Sequence, residues 1–221
     1  MLGVALVTTA APLAASAAEI SGNVTMATDY VFRGYSQTNE KGAIQGGFDV
    51  DFGNGFYVGT WASNVDFGSE VTTEMDFYGG YAFEVAEGVG LDLGFIQFIY
   101  PGDEAALNYQ EYVASLSVGD FSFGLVYSPD YFGDGGGDAT VINFDYSLSL
   151  AEAISMDFHI GQTNTDEDGL VDEDDSYIDY MIGVNYDVAD VTLSLAYYDT
   201  DVDQVAPNAD GRYVFSISKS L

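Results

Sequence analysis

The 221-residue sequence has no cysteine, a single histidine, and only four lysines and arginines against 36 aspartates and glutamates, for a formal charge of −32. Without cysteine there are no disulfides, zinc ribbons, thiol nucleophiles or Cys-held iron–sulfur clusters. Four basic residues cannot build the cationic footprint that displaces counterions from nucleic-acid phosphates, so no nucleic-acid partner is expected. Beyond residue 18 no stretch approaches the about 18 consecutive apolar residues of a membrane helix. Also missing are G-x-S-x-G, H-E-x-x-H and any phosphate-cradling glycine loop, so neither an enzyme nor a cofactor is expected. Ser216 and Lys219 do form S-x-x-K, but on a strand positions i and i+3 face opposite ways. Apolar content is not scarce: 48% of residues are hydrophobic and 15% aromatic, which excludes a wholly disordered chain.

Residues 1–18, MLGVALVTTAAPLAASAA, read as a signal peptide. An apolar run is followed by small residues, and Ala15-Ser16-Ala17 fits the A-x-A cleavage pattern, with a cut after Ala17 or Ala18. No Lys or Arg precedes the run, which points to a start upstream whose basic n-region lies outside this sequence. Residues 19–221 then form the mature domain, and export without cysteine fits a bacterial envelope protein.

That domain alternates. In residues 74–85, Met75, Phe77, Gly79, Tyr81, Phe83 and Val85 share one face while Asp76, Tyr78, Gly80, Ala82 and Glu84 share the other. Residues 153–163 and 176–188 repeat the pattern, and a period of two is that of a strand with two different faces. About twelve such segments are present, near 22–33, 42–52, 55–65, 74–85, 88–100, 107–118, 119–128, 139–150, 153–163, 176–188, 190–200 and 211–221. Connections alternate in length as well. Short ones fall at 53–55, 86–88, 119–120, 151–152 and 189–190, each lying between longer ones at 34–41, 66–73, 101–106, 129–138, 164–175 and 201–210. Tight turns at one end and long loops at the other predict an all-β fold, a transmembrane antiparallel up-and-down β-barrel of about 12 strands. A soluble β-sandwich also alternates but has no reason to sort its turns by length. Tyr30, Phe32, Phe56, Tyr57, Phe98, Tyr100, Phe121, Tyr127, Tyr177, Tyr197 and Tyr213 lie near strand ends and suit aromatic girdles at the two interfaces; the other reading of them is core filling.

The inward parity collects carboxylates that a water-filled lumen tolerates and a dry core does not. The candidate pore-lining residues are Asp29, Arg33, Asp49, Asp76, Glu111, Asp157, His159, Asp179 and Arg212. Arg33 and Arg212 share the inward parity near the outer ends of adjacent strands, so they are expected to face a carboxylate wall across a narrow opening. The alternative is that Arg33 pairs with Asp29 or another wall carboxylate as packing. With carboxylates in excess, cations should pass in preference to anions. His159 reads as a hydrogen-bonded lumen histidine rather than a catalytic base, and its inward parity leaves a lipid-facing hydrolase without its imidazole. In the acidic loop at 164–175, Asp166, Asp168, Asp172 and Asp174 are candidate ligands for weak Ca²⁺ or Mg²⁺ binding, against the simpler reading of a solvated loop.

The terminal strand GRYVFSISKSL ends in an apolar residue, as the last strands of outer-membrane barrels do, with Leu221 where an aromatic is usual and Lys219 on the outward parity near the membrane edge. The stretches DYVFRGYSQT (29–38), QGGFDVDFGNGFYVGTWASNVDFG (45–68), EMDFYGGYAFE (74–84), YPG (100–102) and YQEYVASLS (109–117) resemble the TorF family of proteobacterial porin-like proteins, long catalogued as of unknown function. The resemblance implies a barrel in the outer membrane of a Gram-negative bacterium and a pore role. Passive diffusion of small hydrophilic solutes or cations is the expected function. The alternative is a structural or surface-interaction barrel whose acidic outer loops bind ions without transport. The partners expected on this reading are outer-membrane lipid and lipopolysaccharide, the barrel-assembly machinery, and the solutes or cations themselves.

Overall fold

The computed structural model describes residues 18–102, 107–133, 135–166, 175–202 and 207–221; the signal-peptide reading of 1–18 falls, but for Ala18, outside them. In chain order the strands are β1 (Glu19–Ala27), β2 (Val31–Phe32), β3 (Tyr35–Ser36), β4 (Ala43–Asp51), β5 (Phe56–Asn64), β6 (Thr73–Ala86), β7 (Val89–Ile99), β8 (Tyr109–Val118), β9 (Phe121–Ser128), β10 (Ala139–Ala151), β11 (Ile154–Thr165), β12 (Ser176–Val188), β13 (Val191–Thr200) and β14 (Arg212–Ser220). Twelve of them pair with their sequence neighbours into one closed antiparallel barrel, sealed where β1 meets β14 in the register Asn23↔Ser220 to Ala27↔Ser216. Closure leaves no unpaired edge, the requirement for a sheet surrounded by lipid. β2 and β3 form a separate two-stranded hairpin.

The period-two pattern sets the two faces. Ile20, Phe48, Phe77, Leu125, Ile142 and Phe215 are among the large apolar side chains exposed on the outer wall. Alternating apolar-out and polar-in residues on closed strands make a transmembrane barrel of the outer-membrane type. The short connections gather at one end and the long ones at the other, as the sequence predicts.

One expected strand is wrong in extent. The segment near 22–33 ends as a strand at Ala27, and residues 28–42 turn inward instead of continuing the wall, carrying the β2–β3 hairpin into the lumen. The aromatic girdle is corrected for the same reason. Tyr30, Phe32, Phe98, Tyr100 and Tyr177 belong to a buried cluster inside the barrel's outer half, together with Val65, Val71, Tyr109 and Tyr131. Tyr57 also points inward, its hydroxyl on Asp92, whereas Phe56, Phe121, Tyr127 and Tyr213 stay exposed outside. Parity decides between the two places: even-numbered Phe98 and Tyr100 continue the inward face of β7, and the hairpin supplies the apolar partners that hold them.

Candidate functional site

The hairpin turns on Arg33 and Gly34, whose φ angles of 49° and 83° are both positive. Positive φ at both central positions is the type I′ form of the two-residue connection between twisted strands, normally met by Asn-Gly. Holding a non-glycine residue there costs on the order of 1 kcal/mol or more, so the arginine is present for its side chain. Its Nη1 and Nη2 donate to Glu111 Oε1 at 2.7 Å and Oε2 at 2.9 Å, a bidentate fork that fixes orientation as well as charge. The guanidinium carbon lies 4.5 Å from the Phe32 ring centroid and 5.5 Å from that of Tyr131. Only 10% of the Arg33 side chain and 3% of the Glu111 side chain remain exposed. Burial pushes the Arg33 pKa down, but the Glu111 carboxylate outweighs it and holds the guanidinium well above its ordinary value.

Gly34 sits where a side chain has no room: a Cβ there would come within 2.2 Å of Thr200 Cγ2 and 3.0 Å of Asp179 Cβ. The Tyr177 hydroxyl donates to the Arg33 carbonyl at 3.0 Å. At the hairpin's root, Gln37 N–H donates to Tyr30 O at 2.7 Å and Ser36 Oγ to Asp29 Oδ1 at 2.7 Å. The Tyr30 and Tyr100 hydroxyls both donate to Glu74, at 2.8 and 2.7 Å, and the Tyr30 ring packs 5.2 Å from that of Trp61 on β5. Burial, and secondarily the Glu74 carboxylate, raises the phenol pKa of both tyrosines. Asp76, fully buried two residues along β6 from Glu74, has both carboxylate oxygens without a hydrogen-bond donor among the described residues.

Below the hairpin the lumen is wetter, and half-exposed carboxylates line it. The Tyr78 hydroxyl reaches Asp49 Oδ1 at 2.6 Å and the Tyr57 hydroxyl reaches Asp92 Oδ1 at 2.8 Å. Each ring lies across a glycine of the neighbouring strand; a Cβ on Gly59 would meet the Tyr78 ring at 2.3 Å. Asp157 accepts from Ser147 Oγ at 2.6 Å and Asn185 Nδ2 at 2.7 Å. His159 stands between two carboxylates, Nδ1 at 2.7 Å from Asp145 and Nε2 at 2.9 Å from Asp179.

Of the residues singled out in the sequence, Asp49, Asp76, Glu111, Asp157, His159 and Asp179 line the inner wall on the parity expected. Asp29 and Arg33 do not; both belong to the inward-turned segment. Nor do Arg33 and Arg212 face an open carboxylate wall together. Arg33 is bound to Glu111, and Arg212 Nη1 lies 3.3 Å from Asp29 and 3.8 Å from Glu40, because a bare guanidinium near a low-dielectric lumen gains most by taking a carboxylate partner at once. Glu74, Trp61 and Tyr131 were not singled out. Glu74 shares Asp76's parity and was legible; Tyr131 lies in a loop, where periodicity carries no signal. Of the four candidate ligands in the acidic loop, Asp166 is among the described residues, its N–H donating to Asp138 O at 3.0 Å; Asp168, Asp172 and Asp174 lie outside them. Among the described residues no three His, Asp or Glu side chains converge as a metal cage.

Residues 11–220 match the profile of Gcw_chp, described as a bacterial protein family of unknown function. No curated protein sequence matches the chain. Among solved structures it is similar to the KdgM porin, at 12% identity with a TM-score of 0.60 over 91% of this chain and 99% of that one. The KdgM porin in complex with disordered oligogalacturonate gives 13% identity and a TM-score of 0.55 over 91% and 98%. The NanC porin gives 10% and 0.56 over 90% and 98%. At such identities the likeness is one of fold.

Proposed function

The chain belongs to the Gcw_chp family, and we propose that it is a narrow outer-membrane channel for small hydrophilic solutes, favouring cations, whose outer half is closed by the 28–42 hairpin. The observation that carries this reading is the half-exposed chamber lined by Asp49, Asp92, Asp145 and Asp157 beneath the hairpin. Carboxylates lining a water-filled tube with low-dielectric walls concentrate cations and repel anions. The fold shared with the KdgM and NanC porins and the resemblance to the TorF family support a pore role. A polyanion such as the oligogalacturonate held by KdgM suits this acidic lumen poorly. Outer-membrane lipid, lipopolysaccharide and the barrel-assembly machinery are the partners such a barrel requires, and residues 1–18 serve as its export signal, with a mature N-terminus at Ala18 or Glu19.

The filled outer half favours a second reading, a structural barrel without transport. Planar-bilayer recording across a KCl gradient, with liposome swelling by neutral sugars, separates the two. Conductance with a cation-selective reversal potential supports the channel; anion preference, or no conductance and no swelling with the hairpin intact or deleted, overturns it.

A further inference from the structure

The filled outer half of the lumen holds three buried carboxylates, Glu74, Asp76 and Glu111, which are 2%, 0% and 2% exposed. They lie within electrostatic reach of one another. Among the described residues, the cation paired with them is the hairpin's own Arg33. Glu74 is satisfied by two tyrosine hydroxyls and Glu111 by the guanidinium, while Asp76 has no donor among the described residues. The walls are aromatic, with Phe98 and Tyr109 stacked 4.3 Å apart and Tyr131 edge-on to Tyr109 at 5.6 Å. A planar, weakly hydrated cation that forks onto a carboxylate and lies against rings is what such a seat selects. Arg33 supplies that cation on a turn whose backbone an arginine disfavours.

We propose that the Arg33 guanidinium occupies, from within the chain, a binding site for guanidinium-bearing solutes formed by Glu111 and Tyr131 with Asp76 nearby, and that such a solute competes with Arg33 and releases the hairpin. The site deepens the channel reading, which it rests on for its physiological sense: the same cation that is carried opens the way. Glu111 is the group that the incoming guanidinium and Arg33 contest. The aromatic rings discriminate against ammonium and potassium, which are compact and more strongly hydrated.

Trp61 is the single tryptophan of the chain and touches the hairpin through Tyr30 at 5.2 Å, so its emission reports docking whether or not the barrel conducts. In the detergent-folded full chain, millimolar guanidinium chloride, compared with ammonium and potassium chloride at equal ionic strength, should shift the wild-type emission to the red as the hairpin leaves. In Arg33→Ala the emission starts red-shifted, and the same guanidinium fills the vacated site and returns it towards the blue. Opposite directions are the mark of competition, since a general ionic or denaturing effect moves both proteins the same way. Glu111→Gln, close in shape to the wild type, should weaken both responses at least tenfold. Shifts of the same sign in the two proteins, equal responses to potassium, or an unimpaired Glu111→Gln each overturn the proposal. Bilayer recording on the same preparations keeps the two claims apart. Guanidinium binding with no conductance in any variant sinks the channel and leaves the site, and conductance indifferent to guanidinium with no emission response sinks the site and leaves the channel.

Discussion

If the Arg33–Glu111 pair anchors the hairpin, replacing Glu111 by Gln should free that segment without disturbing the barrel around it. The two bonds at 2.7 and 2.9 Å are between side chains only 10% and 3% exposed. Removing one partner of a buried pair costs about 3–5 kcal/mol because the other charge is stranded. The Gln carbonyl still accepts one guanidinium N–H, which returns about 1 kcal/mol. The net loss of docking free energy is then about 3 kcal/mol, and at roughly 1.4 kcal/mol per factor of ten the open hairpin becomes about a hundredfold more populated. Hydrogen exchange reads this directly. The amides of Gln37, bonded to Tyr30 O, and Lys41, bonded to Thr38 O, should exchange about a hundredfold faster, while those in the β5–β6 and β7–β8 ladders keep their protection. Acceleration below threefold would mean that the pair holds nothing. Equal acceleration in the ladders would mean that Glu111 supports the barrel rather than its hairpin.

Gly34→Ala forces a methyl to within 2.2 Å of Thr200 Cγ2 at a φ of 83°. Left-handed strain of about 1–2 kcal/mol and crowding of about 1–3 kcal/mol add, so the hairpin undocks and Trp61 emission shifts to the red with the thermal midpoint of the barrel unchanged; an unshifted emission spectrum would contradict the seating. Asp49→Asn with Asp92→Asn leaves acceptors for the Tyr78 and Tyr57 hydroxyls and should at least halve the cation-to-anion permeability ratio, and an unaltered reversal potential would remove these carboxylates from the selectivity argument. The Tyr30, Tyr100 and Tyr131 phenols, raised above their ordinary value by burial, favour docking fully below pH about 10. That contribution fades as pH rises through the raised values, so phenolate absorbance and Trp61 emission should change together in alkali; ionisation at the ordinary phenol pH with the hairpin still docked would refute their burial.

The wall was legible because its physics is local. A strand that meets lipid on one side and water on the other must alternate, and residues 176–188 show this with hardly an exception, their predicted and observed bounds being the same. Turn length needed no more than counting. The hairpin was not legible in that way. Val31, Phe32 and Tyr35 continue a plausible strand, and the parity of DYVFRGYS does not say that it leaves the wall at Ala27. The inward course is fixed by partners far along the chain: Glu111, Tyr177, and the seat beside Thr200 for a glycine without a side chain. The one local clue was Arg33-Gly34 between two aromatics, a two-residue turn with an unusual first residue. Read for backbone sign rather than parity, it announces a hairpin and asks why an arginine turns it.

The scarcity of positive charge answers the same question from the other side. A chain of net −32 has four basic residues, and three of them hold this segment. Arg33 fixes its tip to Glu111, Arg212 meets its root at Asp29 and Glu40, and Lys41 ties its far end to Asp66 at 2.7 Å. The fourth, Lys219, lies outside the barrel, 3.8 Å from Asp190. The ties are graded by exposure, with 66% of the Lys41 side chain in solvent against 10% of Arg33 and Arg212. Salt screens an exposed pair and leaves a buried one largely intact. Raising ionic strength should therefore loosen the Lys41 end while the tip stays seated, so that amides near Lys41 exchange faster and Trp61 emission holds still. A tip held by mere apolar packing would be indifferent to Glu111→Gln, and a tip held by screened charge would leave with salt. Only a desolvated, forked ion pair predicts sensitivity to the first and resistance to the second.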